Sequence, residues 1–590
     1  MNIEQQLVSE FITSIKSCYG AEVNSQAVQI QKTKAEFEGE YTFVVFPLLR
    51  TSKKSPEVTA QELGENLTNN SGFVKGYNVV KGFLNLSLND EIWLNTLLNL
   101  SDDKNIKNDD VQNIMVEYSS PNSNKPLHLG HLRNNFLGYS VAEILKANGH
   151  KVIKTQIIND RGVHICKSML AWQKYANGAT PESTGIKGDH FVGDYYVMFD
   201  KYYKLEMQVL TDKGMSKEEA MQEAPLFKEA GAMLRAWEQN DKDVVALWKE
   251  MNSWVYDGFK HTYKTMGVDF DKLYYESDTY KLGKNIVEEG IHKGIFHKRE
   301  DGSVWCDLTS DGLDEKLVLR KDGTSVYMTQ DIGTAVERYN DYKINGMIYT
   351  VADEQNYHFK VLFLILKKLG YNFYEGLYHL SYGMIDLPSG RMKTREGTVV
   401  DADEIMQEMV DTATKATEEK GKTEGFTADE IKEINTNVGM SALKYFLLKV
   451  DPRKGMIFNP EESIDFNGNT GPFILFNYVR TKSILAKNDA PADVSKIKNV
   501  DLSEKEIQLI FKLNEYPKVL ALAAKDYSPA VVANYCYELA KDYSQFYAAS
   551  PILNEENEAV KQMRLLLSEK LGTTIKNGMS LLGCDMVDRM

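Results

Sequence analysis

The chain has 590 residues, more than one hydrophobic core can organise, because single cores stop growing near about 250–300 residues; roughly three or more domains are expected. Hydrophobic residues make up 43% and charged residues 26%, ordinary for a folded globular protein, and no apolar run reaches the ~18 residues of a membrane span. The formal net charge of −15 argues against indiscriminate coating of nucleic acid, and on charge alone an RNA partner is not expected, although a local basic surface can dock one selected RNA; no DNA partner is expected either.

The opening Met1-Asn2-Ile3-Glu4-Gln5-Gln6 lacks the basic leader and apolar block of an export signal, so a cytoplasmic address is expected. Ile3, Leu7, Phe11, Ile12 and Ile15 recur at helical spacing, with Gly20 as the stop. Strand-like runs follow at 41–46 and 82–88, and the polar stretch 101–110 closes a small α+β domain. Residues 114–118 then read as a strand, Leu132, Phe136, Leu137, Val141, Ile144 and Leu145 as one face of a helix ended by Gly149, and 152–158 as a second strand. This βαβ unit has a counterpart downstream, with a strand at 347–351, a helix at 359–369 closed by Gly370, and a strand at 377–382. Between the halves, about 166–299 reads as a helical insertion rich in Tyr, Lys and Glu. The segment 412–429 reads as a linker or a solvated helix, and from Ile431 onward the pattern is almost entirely helical.

The expected fold is therefore α/β, a Rossmann-like doubly wound parallel sheet with a helical insertion, a small α+β N-terminal domain and an all-α C-terminal bundle. The expected boundaries are 1–108, 109–408 and 409–590. The five cysteines (Cys18, Cys166, Cys306, Cys536, Cys584) are too scattered for a zinc knuckle or a redox pair, and no protein-held metal is expected.

The most informative run is Glu117-Tyr118-Ser119-Ser120-Pro121-Asn122-Ser123-Asn124-Lys125-Pro126-Leu127-His128-Leu129-Gly130-His131, which joins the first strand to its helix. Backbone N–H groups and the dipole at a helix start favour phosphate, two imidazoles there can donate to a pentavalent phosphorus, and Gly130 lets a nucleotide approach the backbone. The plain alternative is a pair of surface histidines capping a helix.

The His-x-Gly-His tetrad resembles the ATP signature of class I aminoacyl-tRNA synthetases and of several nucleotidylyltransferases, and the longer run resembles that of arginyl-tRNA synthetases. Residues 322–332, 351–359, 442–446 and 462–473 resemble further segments of that family, as does the end of the chain from Leu581 to Met590. The resemblance spans nearly the whole chain; it is dense over 116–162 and 322–400 and weakest in the first hundred residues.

It implies ATP-dependent activation of arginine to arginyl-adenylate and transfer to the terminal adenosine of tRNA(Arg), with ATP and Mg2+ as cofactors and a monomeric enzyme. The N-terminal domain would contact tRNA and the C-terminal bundle would bind the anticodon. His128, His131, Lys125, Lys393 and Arg395 are the implied catalytic residues. Ser119, Gly130, His128, His131, His358, Met384, Arg391 and Met392 are the implied ATP contacts. Glu117 and Asp331 match the positions that hold the guanidinium, a planar permanent cation for which paired carboxylates are apt acceptors. Tyr327 would flank the aliphatic stem or cap the pocket, while Asn122 and Gln355 would hold the α-amino and carboxylate end. Taken alone, Asp331 could be a helix N-cap, whereas the alternative for Glu117, an outward charge on a strand, fits poorly so close to a phosphate site.

One segment departs from the class pattern. Where other members carry Lys-Met-Ser-Lys-Ser, this chain has Arg391-Met392-Lys393-Thr394-Arg395, without the second lysine. Arginyl enzymes with this departure resemble one another in placing a lysine just before His-x-Gly-His, the place of Lys125, and a cation on the other side of the phosphates can stabilise the same transition state. Two further readings stand beside this one: a nucleotidylyltransferase of the His-x-Gly-His superfamily, and a non-catalytic synthetase-like protein that binds tRNA or arginine.

Overall fold

The computed structural model describes residues 3–34, 36–103, 105–386, 388, 400–420, 425–488 and 490–590. The chain divides into two compact units. One comprises Met1–Asp102, Arg480–Tyr516 and Lys541–Thr574. In it β1 (Ile30–Lys32), β2 (Tyr41–Val44), β3 (Val74–Val80) and β4 (Phe83–Leu88) form an antiparallel sheet in the order β1-β2-β4-β3. The Ile3–Tyr19 helix buries Ile3, Leu7, Phe11 and Ile15, one residue per turn, and Phe11 stacks on Phe43 of β2 at 3.9 Å between ring centroids. Tyr41 and Trp93 meet the ring of Phe511, so residues from the helical C-terminal part complete this core.

The second unit comprises Asp103–Val479, Pro517–Ala540 and Ile575–Met590. Its strands of three or more residues are β5 (Asn113–Glu117), β6 (Lys151–Ile158), β7 (Lys272–Tyr275), β8 (Phe296–Lys298), β9 (Val304–Cys306), β10 (Lys316–Leu319), β11 (Gly346–Ala352) and β12 (Leu377–Tyr382). A parallel five-stranded sheet has the order β12-β11-β5-β6-β7, and β8, β9 and β10 make a small antiparallel sheet. The chain runs outward from β5 through β6 to β7, then returns to the other side of β5 for β11 and β12. Strand order therefore reverses between β5 and β11, the place where open α/β sheets bind ligands beyond their carboxyl ends.

Both halves of the doubly wound sheet were readable from hydrophobic periodicity, and the 377–382 strand falls where it was expected. The helix after β11, Asn356–Leu369, stops at Gly370, whose φ of 87° lies in the left-handed region that closes helices. Its residues Leu362, Ile365 and Leu366, together with Ile332 and Ala335 of the Tyr327–Tyr342 helix, pack with Met115 of β5 and Met347 of β11 in one buried cluster.

The stretch 166–299 differs from its expectation as a helical insertion. It carries the Gly188–Asp212, Pro225–Glu238 and Lys242–Met266 helices, but Lys272–Tyr275 is an edge strand of the main sheet. Four residues, Lys-Leu-Tyr-Tyr, are too few to display an alternation against the Tyr- and Lys-rich helices before them.

The Leu129–Ala147 helix was expected to show one apolar face, and it is buried nearly all round. Polar residues on it are accommodated by hydrogen bonds: Arg133, 1% exposed, donates from Nη1 to Gly383 O at 2.7 Å and from Nη2 to Lys454 O at 2.8 Å and Pro452 O at 3.2 Å. Of the 412–429 segment, 412–420 ends the Ala402–Lys420 helix and Thr427 caps the Ala428–Leu448 helix through a reciprocal pair with Glu430. From Ala428 the described residues are predominantly helical. All five thiols are free, and four of them are buried.

Candidate active site

β5 delivers its last residue, Glu117, beside Tyr349 of β11 at the strand reversal. Glu117 is 6% exposed, so it is not an outward charge on a strand. Its Oε2 forms an ion pair with Nη2 of Arg338, a residue of the Tyr327–Tyr342 helix. Burial raises the Glu117 carboxyl above its usual range, Arg338 works against that rise, and the charge of Asp331 adds to it. Arg338 stands on the helix that also carries Asp331, so the pair ties that helix to Glu117.

The turn that follows is strained. Ser119 and Ser120 have φ of 73° and 46°, a left-handed conformation unusual for two successive non-glycine residues. The surrounding groups hold it in place. Ser119 N donates to Asn134 Oδ1, while Asn134 Nδ2 donates to Thr350 O at 2.7 Å and Tyr382 OH at 3.1 Å. The Ser119 hydroxyl lies 2.6 Å from Tyr263 OH and receives Asn135 Nδ2 at 3.3 Å, and Tyr263 OH donates to Gln156. One asparagine thus ties the exit of β5 to β11 and β12.

The loop ends in a helix cap built from the two histidines. His128 is the N-cap of the Leu129–Ala147 helix; its Nδ1 accepts from Gly130 N at 3.2 Å, and His131 Nδ1 accepts from His128 N at 3.2 Å. Because both Nδ1 atoms accept from backbone donors, the proton of each neutral ring sits on Nε2. Burial brings His128 down to about 4 and takes His131 well below the usual histidine value, so both rings are neutral at physiological pH. A Cβ on Gly130 would stand 3.0 Å from His128 Cε1, so this glycine makes room for the imidazole as well as for a ligand. Lys125 precedes the cap, half-buried, its ammonium pulled below the ordinary lysine value by burial.

Val400 and Ala402 are anchored to this turn. Leu129 N donates to Val400 O at 3.2 Å and Ala402 N donates to Leu127 O at 3.0 Å. Arg391, Met392, Lys393 and Arg395 lie outside the described residues. Met384, 44% exposed, follows Gly383, the residue whose carbonyl Arg133 holds.

On the other side of the reversal, Tyr327 opens its helix and is 75% exposed. Asp331 lies in the second turn of that helix, so it is not an N-cap, and its Oδ2 is 2.6 Å from His358 Nε2. Gln355, exposed, is the N-cap residue of the helix that carries His358. Asn122 is exposed and its backbone bridges to Asn159, just past β6.

Three residues escaped the sequence reading. Arg338 follows Asp331 by two helical turns, a spacing that could have suggested a shared face. Asn134 is a polar residue inside an apolar helix pattern. Glu276, just after β7, is pushed up to about 7 by burial, against the pull of Arg161 and with the charges of Asp160 and Asp331 adding to the rise. Among the described residues, one group offers three metal-ligating atoms within 4.8 Å, His190, Asp401 and Asp403, and the Lys187 ammonium already bonds Asp403 there at 2.5 Å.

Residues 94–459 match the family described as tRNA synthetases class I (R), catalytic domain; residues 474–590 match the DALR anticodon binding domain, and residues 5–88 the arginyl tRNA synthetase N terminal domain. The arginine–tRNA ligases of Parabacteroides distasonis and Bacteroides thetaiotaomicron are each 56% identical to this chain over 597 aligned residues, with 100% of both chains covered. The solved arginyl-tRNA synthetase of Thermus thermophilus covers 99% of this chain and all of its own, with a TM-score of 0.78; at 24% identity it speaks for the fold alone.

Proposed function

The chain belongs to the arginyl-tRNA synthetases, and from that premise we propose how its residues divide the ATP-dependent activation of arginine and its transfer to tRNA(Arg). The arginine carboxylate attacks the α-phosphorus of ATP in line, pyrophosphate leaves, and arginyl-adenylate forms. A hydroxyl of the terminal adenosine of tRNA(Arg) then attacks the acyl carbon and AMP leaves. Neither step needs a covalent bond to the protein, so positioning and donors aimed at developing charge carry the rate.

His128 and His131 present Nε2–H donors to the nucleotide phosphates, and Lys125, Lys393 and Arg395 share neutralisation of the departing pyrophosphate. Ser119, Gly130, His358, Met384, Arg391 and Met392 line the nucleotide. Asp331 and Glu117, joined by Glu276, receive the guanidinium; Tyr327 flanks its stem, and Asn122 and Gln355 hold the amino-acid end. Magnesium enters with ATP as part of the substrate. The observation that supports this assignment is the pairing of two imidazoles on one helix start with Glu117 at the tip of β5 and Asp331 on the helix that Arg338 ties to Glu117. The two rival readings, a nucleotidylyltransferase and a non-catalytic binder, find no support in relatives that match over their full length.

We assign residues 1–108 to tRNA contact, 109–408 to catalysis and 409–590 to the anticodon, in a monomer working in the cytoplasm. Among the described residues no helix is long and apolar enough to cross a membrane. The test is a charging assay with total tRNA, ATP and each amino acid in turn, with size measured by light scattering. Arginine alone should be esterified, and charging of another amino acid at a comparable rate would remove the assignment.

A further inference from the structure

We propose that Arg338 is a positioning residue for arginine recognition: its guanidinium holds the Glu117 carboxylate and so sets the helix bearing Tyr327 and Asp331 against β5. The inference rests on the reading of Glu117 and Asp331 as the arginine pocket.

Arg338 is 2% exposed, and it follows Asp331 by two turns on the same helix, so both side chains leave one face. The guanidinium meets residues of three strands. Its Nη2 pairs with Glu117 of β5, its Nη1 lies 3.7 Å from Met347 Sδ of β11, and its plane stands 4.9 Å from the ring centroid of Tyr274 of β7. The pocket helix is therefore pinned to the sheet at the level of Glu117.

Packing alone does not account for a charged pair here. Two ions withdrawn from water give back little net stability, and an apolar pair of similar volume would fill the space at least as well. What an ion pair supplies, and an apolar pair cannot, is an ionised carboxylate in a dry site. A carboxylate has two oxygens and about four lone-pair directions, so engagement of Oε2 by Arg338 leaves Glu117 able to accept from a second, incoming guanidinium. The charged and titratable groups that act on Glu117 and Arg338 are Asp331, Glu337, Tyr349 and Tyr274. Of these, Asp331 opposes ionisation of Glu117, and Arg338 is the cation that favours it.

The experiment is steady-state aminoacylation by the full chain as wild type, Arg338→Gln, Arg338→Lys, Glu117→Gln and the Glu117→Gln/Arg338→Gln double variant, with KM for arginine and for ATP measured across pH. Arg338→Gln should raise the arginine KM by about tenfold while leaving the ATP KM near wild type. Its acid limb in kcat/KM for arginine should move to higher pH, because a carboxylate without its cation takes up a proton more readily. Arg338→Lys should bring that limb back toward wild type.

If Arg338 acts through Glu117, the double variant should be no worse than Glu117→Gln alone. That comparison also decides the matter if Arg338→Gln fails to fold, since the double variant leaves no unpaired buried ion. Losses that multiply, or an acid limb that stays in place, would overturn the role of Arg338. An arginine KM unchanged in Glu117→Gln would overturn the pocket reading itself and the role of Arg338 with it.

Discussion

His358 Nε2 donates to Asp331 Oδ2 across 2.6 Å, so the helix that follows β11 is bound to the carboxylate in the second turn of the helix that precedes it. A carboxylate only accepts, so the proton of this bond sits on Nε2, and the ring orients Asp331. Asp331→Asn should lower kcat/KM for arginine by about 10- to 100-fold, the worth of a charge-assisted hydrogen bond lost from a pocket, with the ATP KM little changed. His358→Ala should show a smaller loss in kcat/KM for arginine together with a raised ATP KM, since His358 also lines the nucleotide. Charging rates over a series of arginine concentrations measure both, and a change confined to the ATP KM would place Asp331 outside the arginine pocket.

The histidine pair makes a prediction about pH. His128, brought down to about 4, and His131, lowered further, are neutral through the physiological range, so neither should add an ionisation to the rate profile between about pH 6 and 8. The effect on stability has a definite sign. Below about 6.5 the unfolded chain takes up protons that the folded histidines refuse, so stability present above that value is lost as pH falls toward about 4. Thermal unfolding followed between these limits should show a shallower acid loss in His128→Asn than in wild type. His128→Ala and His131→Ala should each cut the rate of adenylate formation by about 10²–10³-fold while sparing arginine binding, as loss of one preorganised donor does.

These contacts mark how far the sequence could be read. The strand, loop and helix around Glu117 to His131 were legible because a short unbroken apolar run, a loop of turn formers and a period of 3.6 succeed one another without interruption. Asp331 could be placed near Glu117 only by resemblance, since sequence spacing cannot say which face of a helix meets which strand tip. Arg338 and Asn134 stayed hidden because a polar residue inside an apolar helix looks like a solvated position until its partners, Glu117 and the backbone of Ser119, are known to lie above it. Glu276 was missed because β7, the edge strand that delivers it, is too short to announce itself.

Lys125 is the third test. Burial pulls its ammonium below the ordinary lysine value, and no carboxylate among the described residues pairs with it, which suits a cation awaiting an anionic ligand. Lys125→Ala should slow pyrophosphate formation by about 10²–10³-fold in rapid-quench measurements and leave the arginine KM close to wild type. The folded state should not suffer, since the variant removes a buried charge that lacks a partner. Lower stability with normal pyrophosphate formation would mean that Lys125 serves packing, and that Lys393 and Arg395 carry the phosphates without it.

The charge of the pocket can be tested with citrulline, which keeps the length of arginine and replaces its cation with a neutral urea. Asp331, Glu117 and Glu276 would then face a group without the positive charge they are arranged to accept, and a site built for such a partner rejects an analogue lacking it by about 10⁴–10⁵-fold. Asp331→Asn should narrow that ratio, because one of the uncompensated charges is gone. Glu276 adds a pH dependence whose sign follows from its position. With the carboxyl pushed up to about 7, a bound cation must displace a proton from it below that pH, so the arginine KM should rise on acidification and level off above about 7. Glu276→Gln should flatten this dependence. Equal charging of citrulline and arginine would show that shape rather than charge selects the substrate, and Glu117, Asp331 and Glu276 would then need another role.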